Sequence, residues 1–228
     1  MSNLRTVGIV QDRMGSTRLP QKASLPLAGK PMCRNIMERL QRVISFDALV
    51  WAVPSTKEDL FIIKQAAELD INVFIGTEHD IVTRFYLCAE LFQAELIVRI
   101  CADNPMIEPE EVDRIIDYAE RKRQPGMLYS NTHNINNNRY PDGLGAEVYT
   151  MSTLKWMYHN LKPQYREHPH KFFHENGLVE TIKCPPEYAY PKLKLDIDTP
   201  EDYQYIKSIY DKIGSNEFHI LDYIQEVI

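Results

Sequence analysis

The chain has 228 residues, 44% of them hydrophobic and 25% charged, the balance of an ordinary globular protein long enough to bury a sizeable core. Its formal net charge of −6 argues against a general nucleic-acid binder, which carries a basic excess, and no segment is long and apolar enough to span a bilayer. Cys33, Cys88, Cys101 and Cys184 are scattered without Cys-x-x-Cys spacing, which disfavours a disulfide framework or a cysteine zinc site; with no signal peptide before the first strand, a cytoplasmic protein is expected.

The first expected element is a buried strand at 7–10. It empties into a loop holding Gln11, Arg13, Gly15, Ser16, Thr17, Arg18 and Lys22. Gly15 lets backbone N–H groups approach an anion closely. Ser16 and Thr17 offer hydroxyl donors, and Arg13, Arg18 and Lys22 supply positive charge. A solvated basic loop is the plain alternative; a nucleotide triphosphate is the anion that would engage every one of these groups.

A helix over 32–43 follows, then a strand at 49–53 and a helix over 57–69 with Leu60, Ile63 and Ala67 at helical spacing. A short strand at 73–75, a helix over 81–93 and a strand at 96–100 continue the alternation. Pro109 opens a helix with Glu110 and Glu111 in its first turn and Val112, Ile115 and Ile116 on its inner face. Apolar strands between amphipathic helices predict an α/β, three-layer αβα domain with a mostly parallel sheet, whose ligands bind beyond the carboxyl ends of the strands.

The asparagine-rich stretch 131–142 reads as a loop. A strand is expected at 146–150, a helix over 152–161 capped by Ser152, and further strands at 179–183 and 192–196. Thr199-Pro200-Glu201-Asp202 starts a last helix. We expect one domain over 1–228, with 131–192 as an excursion from the main sheet.

Two acidic positions stand at ends of expected strands: Asp103, in Ala102-Asp103-Asn104-Pro105, and Asp196-x-Asp198, in Asp196-Ile197-Asp198-Thr199-Pro200. A turn and a helix cap are their structural readings. Carboxylates facing triphosphate oxygens would instead make a hard, all-oxygen site suited to Mg2+. His168, His170 and His174 do not read as a zinc site, because Lys171 stands where a catalytic glutamate would follow the first histidine. His168 is the better candidate for a substrate-orienting group. Trp156, Tyr158 and Tyr165 read as core or interface surface.

Arg-x-Gly-Ser-x-Arg-x-Pro-x-Lys after an N-terminal strand resembles the CMP-sugar synthetases, the cytidylyltransferases of sialic-acid-like and 3-deoxy-octulosonate sugars. The longer string from Gln11 to Lys22 is most similar to the SpsF-type spore-coat-polysaccharide branch, from which this chain departs at Asp12 and Gln21. Asp12 either faces away from the phosphates or helps hold a metal. The resemblance implies a Rossmann-like, glycosyltransferase-A-like nucleotide-diphospho-sugar transferase fold and carries the magnesium role onto Asp103 and Asp198. Gly76-Thr77-Glu78-His79-Asp80 and Arg84-Phe85-Tyr86 resemble the segments that pack by the base, which brings Asp80 and Arg84 to the nucleotide. Ser55 follows Pro54, a departure from the small or hydroxyl residue usual there, and is assigned to the nucleotide too. Tyr140-Pro141-Asp142-Gly143-Leu144, Glu147-Val148 and Arg166-Glu167-His168 resemble the sugar side, bringing Asp142, Glu147, Arg166 and His168 to the acceptor, with Arg139 or Arg166 for an acceptor carboxylate. A homodimer is also implied, with 131–192 closing over the sugar.

The expected reaction is attack of a sugar-acid hydroxyl on the α-phosphorus of CTP, with Arg13, Lys22, Asp103 and Asp198 as catalytic residues. Three other readings compete: a glycosyltransferase using Asp196-x-Asp198, a nucleotidyltransferase using another donor such as UTP, and a nucleotide-binding subunit that turns nothing over.

Overall fold

The computed structural model describes residues 5–227. The N-terminal segment read above as carrying no signal peptide lies, up to Leu4, outside the described residues. Nine strands are described: β1 (Thr6–Gln11), β2 (Pro26–Leu27), β3 (Lys30–Pro31), β4 (Ala48–Pro54), β5 (Asn72–Gly76), β6 (Leu96–Cys101), β7 (Leu128–Ser130), β8 (Glu147–Thr150) and β9 (Val179–Glu180). Eight α-helices accompany them: α1 (Met32–Leu40), α2 (Leu60–Glu68), α3 (Ile81–Leu91), α4 (Pro109–Lys122), α5 (Met151–Asn160), α6 (His170–Glu175), α7 (Pro200–Ile213) and α8 (Ile220–Val227).

Seven strands form one sheet in the order β5-β4-β1-β6-β8-β7-β9, and β2 and β3 form a small hairpin. The β1, β4, β5 and β6 pairings are parallel, while β8 runs antiparallel to both β6 and β7. Two-residue alternation sends side chains to opposite faces. Val7, Ile9, Val50, Ala52 and Ile97 pack with Phe85 and Cys88 of α3 and Leu154 and Met157 of α5. Val10, Trp51, Val53, Val98 and Ile100 pack with α1, α4 and α7 through Ile36, Val112, Ile115 and Ile206. Both faces are thus covered, as the apolar strand runs require. The three-layer α/β architecture expected from the sequence is the one observed.

The second half departs from expectation in four places. The stretch 131–192 returns to the sheet at β8 and β9, so it is not wholly an excursion. Residues 192–196 form no strand; Lys194 makes a single parallel bridge to Asp142. The strand expected over 179–183 stops at Glu180, because the chain then turns to Asn138, whose Nδ2 donates to Thr181 Oγ1 at 2.7 Å and whose carbonyl accepts from Cys184 N at 2.9 Å. The cap of α5 is Thr150, not Ser152: Thr150 is extended, and its hydroxyl accepts from Thr153 N.

Candidate active site

β1 ends at Gln11, and the loop after it is coiled by its own groups. Ser16 Oγ accepts from Leu19 N at 3.3 Å, and the Leu19 carbonyl accepts from Lys22 N at 3.2 Å. This turns Lys22 back over the carboxyl ends of the strands. Asp103 lies directly beyond β6, and its carbonyl accepts from Ile197 N at 2.8 Å, which stitches two distant segments together. Lys22 Nζ donates to the Ile197 carbonyl at 2.8 Å and stands 3.5 Å from Asp103 Oδ2 and 3.7 Å from Asp198 Oδ1. Arg18 donates to the same Asp198 oxygen at 2.8 Å. Capping of α7 falls to Thr199, in a reciprocal box with Asp202, so the Asp198 carboxylate is left to face these cations.

Gln11, Arg13, Ser16, Thr17, Arg18, Lys22, Arg84, Asp103, His168 and Asp198 all line one cleft. Gly15 lines an adjoining cavity that shares Arg13 and is walled by Thr56, Asp59, Phe61 and Glu78. Arg13 Nη2 lies 3.4 Å from Glu167 and its Nη1 4.0 Å from Glu78.

Arg84 is 1% exposed, and its Nε and Nη1 have no hydrogen-bond partner. Burial, then repulsion from Arg13, pulls its pKa down to about 10. An unpaired buried guanidinium beside a cleft is costly unless an anion arrives. Asp12 also faces this cleft. Its oxygens accept from Arg13 N at 2.8 Å and Trp51 Nε1 at 3.3 Å, and burial pushes its pKa up to about 7.

Beyond Asp103, a second cavity is lined by Asp142, Glu147 and Asp196. The Asp142 N–H donates to the Leu193 carbonyl at 2.9 Å and its carbonyl accepts from Leu195 N at 3.0 Å. Gly143 has φ +87°, and a Cβ there would meet the Asp196 nitrogen at 2.7 Å, so glycine permits this close passage. Glu147 is paired with Arg99, which also donates from Nε to Gln11 Oε1 at 3.1 Å. Burial pushes the Glu147 carboxyl up, but Arg99 more than offsets it and holds it below the usual range.

Four expected site residues stand elsewhere. Asp80 caps α3 through Thr83 N and accepts from Arg166 Nε at 2.9 Å, so its carboxylate is consumed inside the fold. Arg166 spends the rest of its guanidinium on Thr83 Oγ1 at 2.9 Å and the Tyr158 carbonyl at 3.0 Å. Arg139 is exposed, and its Nη2 donates to the Ala189 carbonyl at 3.4 Å, away from both cavities. Ser55 is exposed and lines neither the cleft nor the cavity that adjoins it. The sequence reading missed Arg99, although a charge inside the apolar run Leu96-Ile97-Val98-Arg99-Ile100 marks a buried pair in need of a partner.

Asp103 and Asp198 present opposed carboxylate oxygens to one ammonium group. Their carboxylates are hard oxygen donors of the kind that suits Mg2+, and these two residues would hold such an ion. Among the described residues, three possible metal-ligand atoms, two carboxylate oxygens and a ring nitrogen, lie within 4.8 Å of one another at Glu108, Glu110 and His219, which do not line this cleft.

A sequence model described as "Cytidylyltransferase" matches residues 7–228. The spore coat polysaccharide biosynthesis protein SpsF of Bacillus subtilis is 29% identical over 215 residues, 90% of this chain and 86% of that protein. The 8-amino-3,8-dideoxy-manno-octulosonate cytidylyltransferase of Shewanella loihica is 28% identical over 123 residues, 50% of this chain and 46% of that enzyme. Among solved structures, a cytidylyltransferase from Leptospira borgpetersenii superposes with a TM-score of 0.88 at 27% identity, covering 98% of this chain and 94% of that one.

Proposed function

We propose, because this chain belongs to the cytidylyltransferase family, that it moves the cytidylyl group of CTP onto a hydroxyl of a sugar acid, releasing pyrophosphate and forming a CMP-sugar. The hydroxyl oxygen attacks the α-phosphorus, the bond to the bridging oxygen of the β-phosphate breaks in line, and pyrophosphate leaves with the electron pair. The observation that carries this reading is the position of Lys22 Nζ between Asp103 and Asp198, in a cleft that also holds Arg13, Arg18 and Arg84.

In this reading Arg13, Arg18, Lys22 and Arg84 hold the triphosphate and offset the charge that builds on the departing pyrophosphate. Ser16 and Thr17 orient phosphate oxygens, and the cavity beyond Arg13 takes the base. Asp103 and Asp198 hold Mg2+, which when bound supplies a Lewis acid for phosphate oxygens and acidifies the attacking hydroxyl. Asp103 lines the second cavity as well as the cleft, so the acceptor reaches the α-phosphorus from that side.

The polysaccharide role of the Bacillus relative and the octulosonate substrate of the Shewanella relative support a sugar acid destined for a surface polysaccharide. We place the reaction in the cytoplasm, where four free thiols stay reduced. We place a homodimer contact on the face where Leu87, Leu91 and Trp156 are exposed. Incubation with labelled CTP, Mg2+ and candidate sugars tests the reading. Pyrophosphate release with CTP and little with UTP is expected, whereas CTP binding without turnover would make the chain a non-catalytic subunit.

A further inference from the structure

The backbone on either side of Asp198 is pinned. On one side, Ile197 N donates to the Asp103 carbonyl at 2.8 Å. On the other, Asp202 Oδ2 accepts from Asp198 N and from Thr199 N, each at 2.9 Å. A capping box on α7 needs only the Thr199 bond; the bond to Asp198 N fixes the metal-side aspartate itself. The same Asp202 oxygen accepts from Lys194 Nζ at 2.6 Å. Lys194 Nζ also stands 3.2 Å from Asp196 Oδ2, on the wall of the second cavity, and donates to the Asp196 carbonyl at 3.4 Å. One ammonium therefore joins that wall to the carboxylate that holds Asp198.

Stability does not account for Lys194. Its side chain is 43% exposed, and an ion pair that open to water contributes little. It stands at the start of α7, where the helix dipole disfavours a cation. What the ammonium does is hold together two carboxylates that would otherwise repel, which keeps Asp202 against Asp198 N. We propose that Lys194 and Asp202 are positioning residues for the reaction, aiming the Asp198 carboxylate at Mg2+; the inference rests on the cytidylyltransferase reading. With Asp198 N pinned, its carboxylate faces Arg18 and Lys22 in the cleft. Released from Asp202, an aspartate just before a helix is free to turn its carboxylate back onto the N–H groups of its own segment.

The test is calorimetry of CTP binding in EDTA and in Mg2+, which needs no acceptor. The wild-type protein is expected to bind CTP about tenfold or more tighter with Mg2+, a coupling that runs through Asp103 and Asp198. Lys194→Met keeps the stem and loses the charge; Asp202→Asn keeps an oxygen for both N–H groups and loses the charge that Lys194 pairs. Each is expected to leave the Kd in EDTA within about threefold of wild type and to cut the gain from Mg2+ to roughly threefold or less. Lys194→Arg is expected to restore the gain, and the double variant to lose no more than either single one, because the two residues act as a unit. A gain from Mg2+ that survives in both single variants, or is missing from a wild-type protein that binds CTP, overturns the inference. So does an equal weakening of CTP binding in EDTA and in Mg2+, which marks the pair as a helix cap and nothing else. A wild-type protein that binds CTP in neither solution overturns the cytidylyltransferase reading itself, which keeps the two failures apart.

Discussion

Arg18 Nη2 donates to Asp198 Oδ1 at 2.8 Å, joining residues 180 positions apart in the chain. Arg18 is two-thirds exposed, so this bond contributes little to stability. In the proposed reaction its use would be electrostatic, holding a cation beside the phosphates. Arg18→Ala is expected to leave the melting temperature within a few degrees of wild type and to raise the KM for CTP by roughly tenfold. Lys22→Ala is expected to be harsher, cutting pyrophosphate release by about a hundredfold or more. Near-normal turnover in Lys22→Ala would contradict the placement of the triphosphate.

Arg84 separates a ligand-holding role from a structural one. A buried guanidinium with two unpartnered nitrogens costs the empty protein stability, so Arg84→Met is expected to unfold at the same denaturant concentration as wild type or a higher one. The same change is expected to weaken CTP binding on the order of tenfold or more, read by calorimetry. A destabilised variant that binds CTP normally would make Arg84 a core residue and nothing else.

Arg166 is the converse case. Its guanidinium ties the start of α3 to the end of α5 through Asp80, Thr83 and Tyr158. Arg166→Ala is expected to cost about 2–4 kcal/mol of unfolding free energy, because charged hydrogen bonds are lost and Asp80 is left with fewer partners. The KM for the acceptor should stay within a few-fold of wild type at a temperature where the variant is folded. A selective rise in that KM with unchanged stability would restore the substrate role expected from the sequence.

Asp12 sets a pH dependence. Its folded pKa is raised to about 7 while an unfolded aspartate titrates near 3.8. Between these values the folded state holds the extra proton, so this group lowers stability progressively as pH rises from about 4 to about 7, and by a constant amount above that. Asp12→Asn removes the titration. Relative to wild type, the variant is therefore expected to gain on the order of a few kcal/mol in urea unfolding between pH 4 and pH 8. Subtracting the two curves cancels the constant loss of the Trp51 contact; a difference that does not change with pH would show that the carboxyl titrates normally.

Much of the sheet was legible because its signal is local. Apolar runs at 7–10, 49–53, 73–75 and 96–100 alternate with amphipathic helices, and each became a parallel strand or a covering helix. The short strand β7 escaped notice: three residues carry too little periodicity to read, and its pairing with β8 and β9 arises only once those strands are in place. The expected strand at 192–196 failed for want of a partner strand. Its alternation is real, but Asp142 alone offers it a bridging backbone.

The sequence by itself determined the cationic loop after β1, the acids beyond β6 and before α7, and the strand ends on which they sit. Residue chemistry and element type are encoded over a few positions, where spacing alone decides which groups share a face. Only the tertiary structure decided which charges meet. It placed Lys22 between Asp103 and Asp198, consumed Arg166 on Asp80, and brought Asp142 beside Asp196 around Gly143. Pairing of charges depends on distances set by packing of remote segments, and no local pattern carries that information.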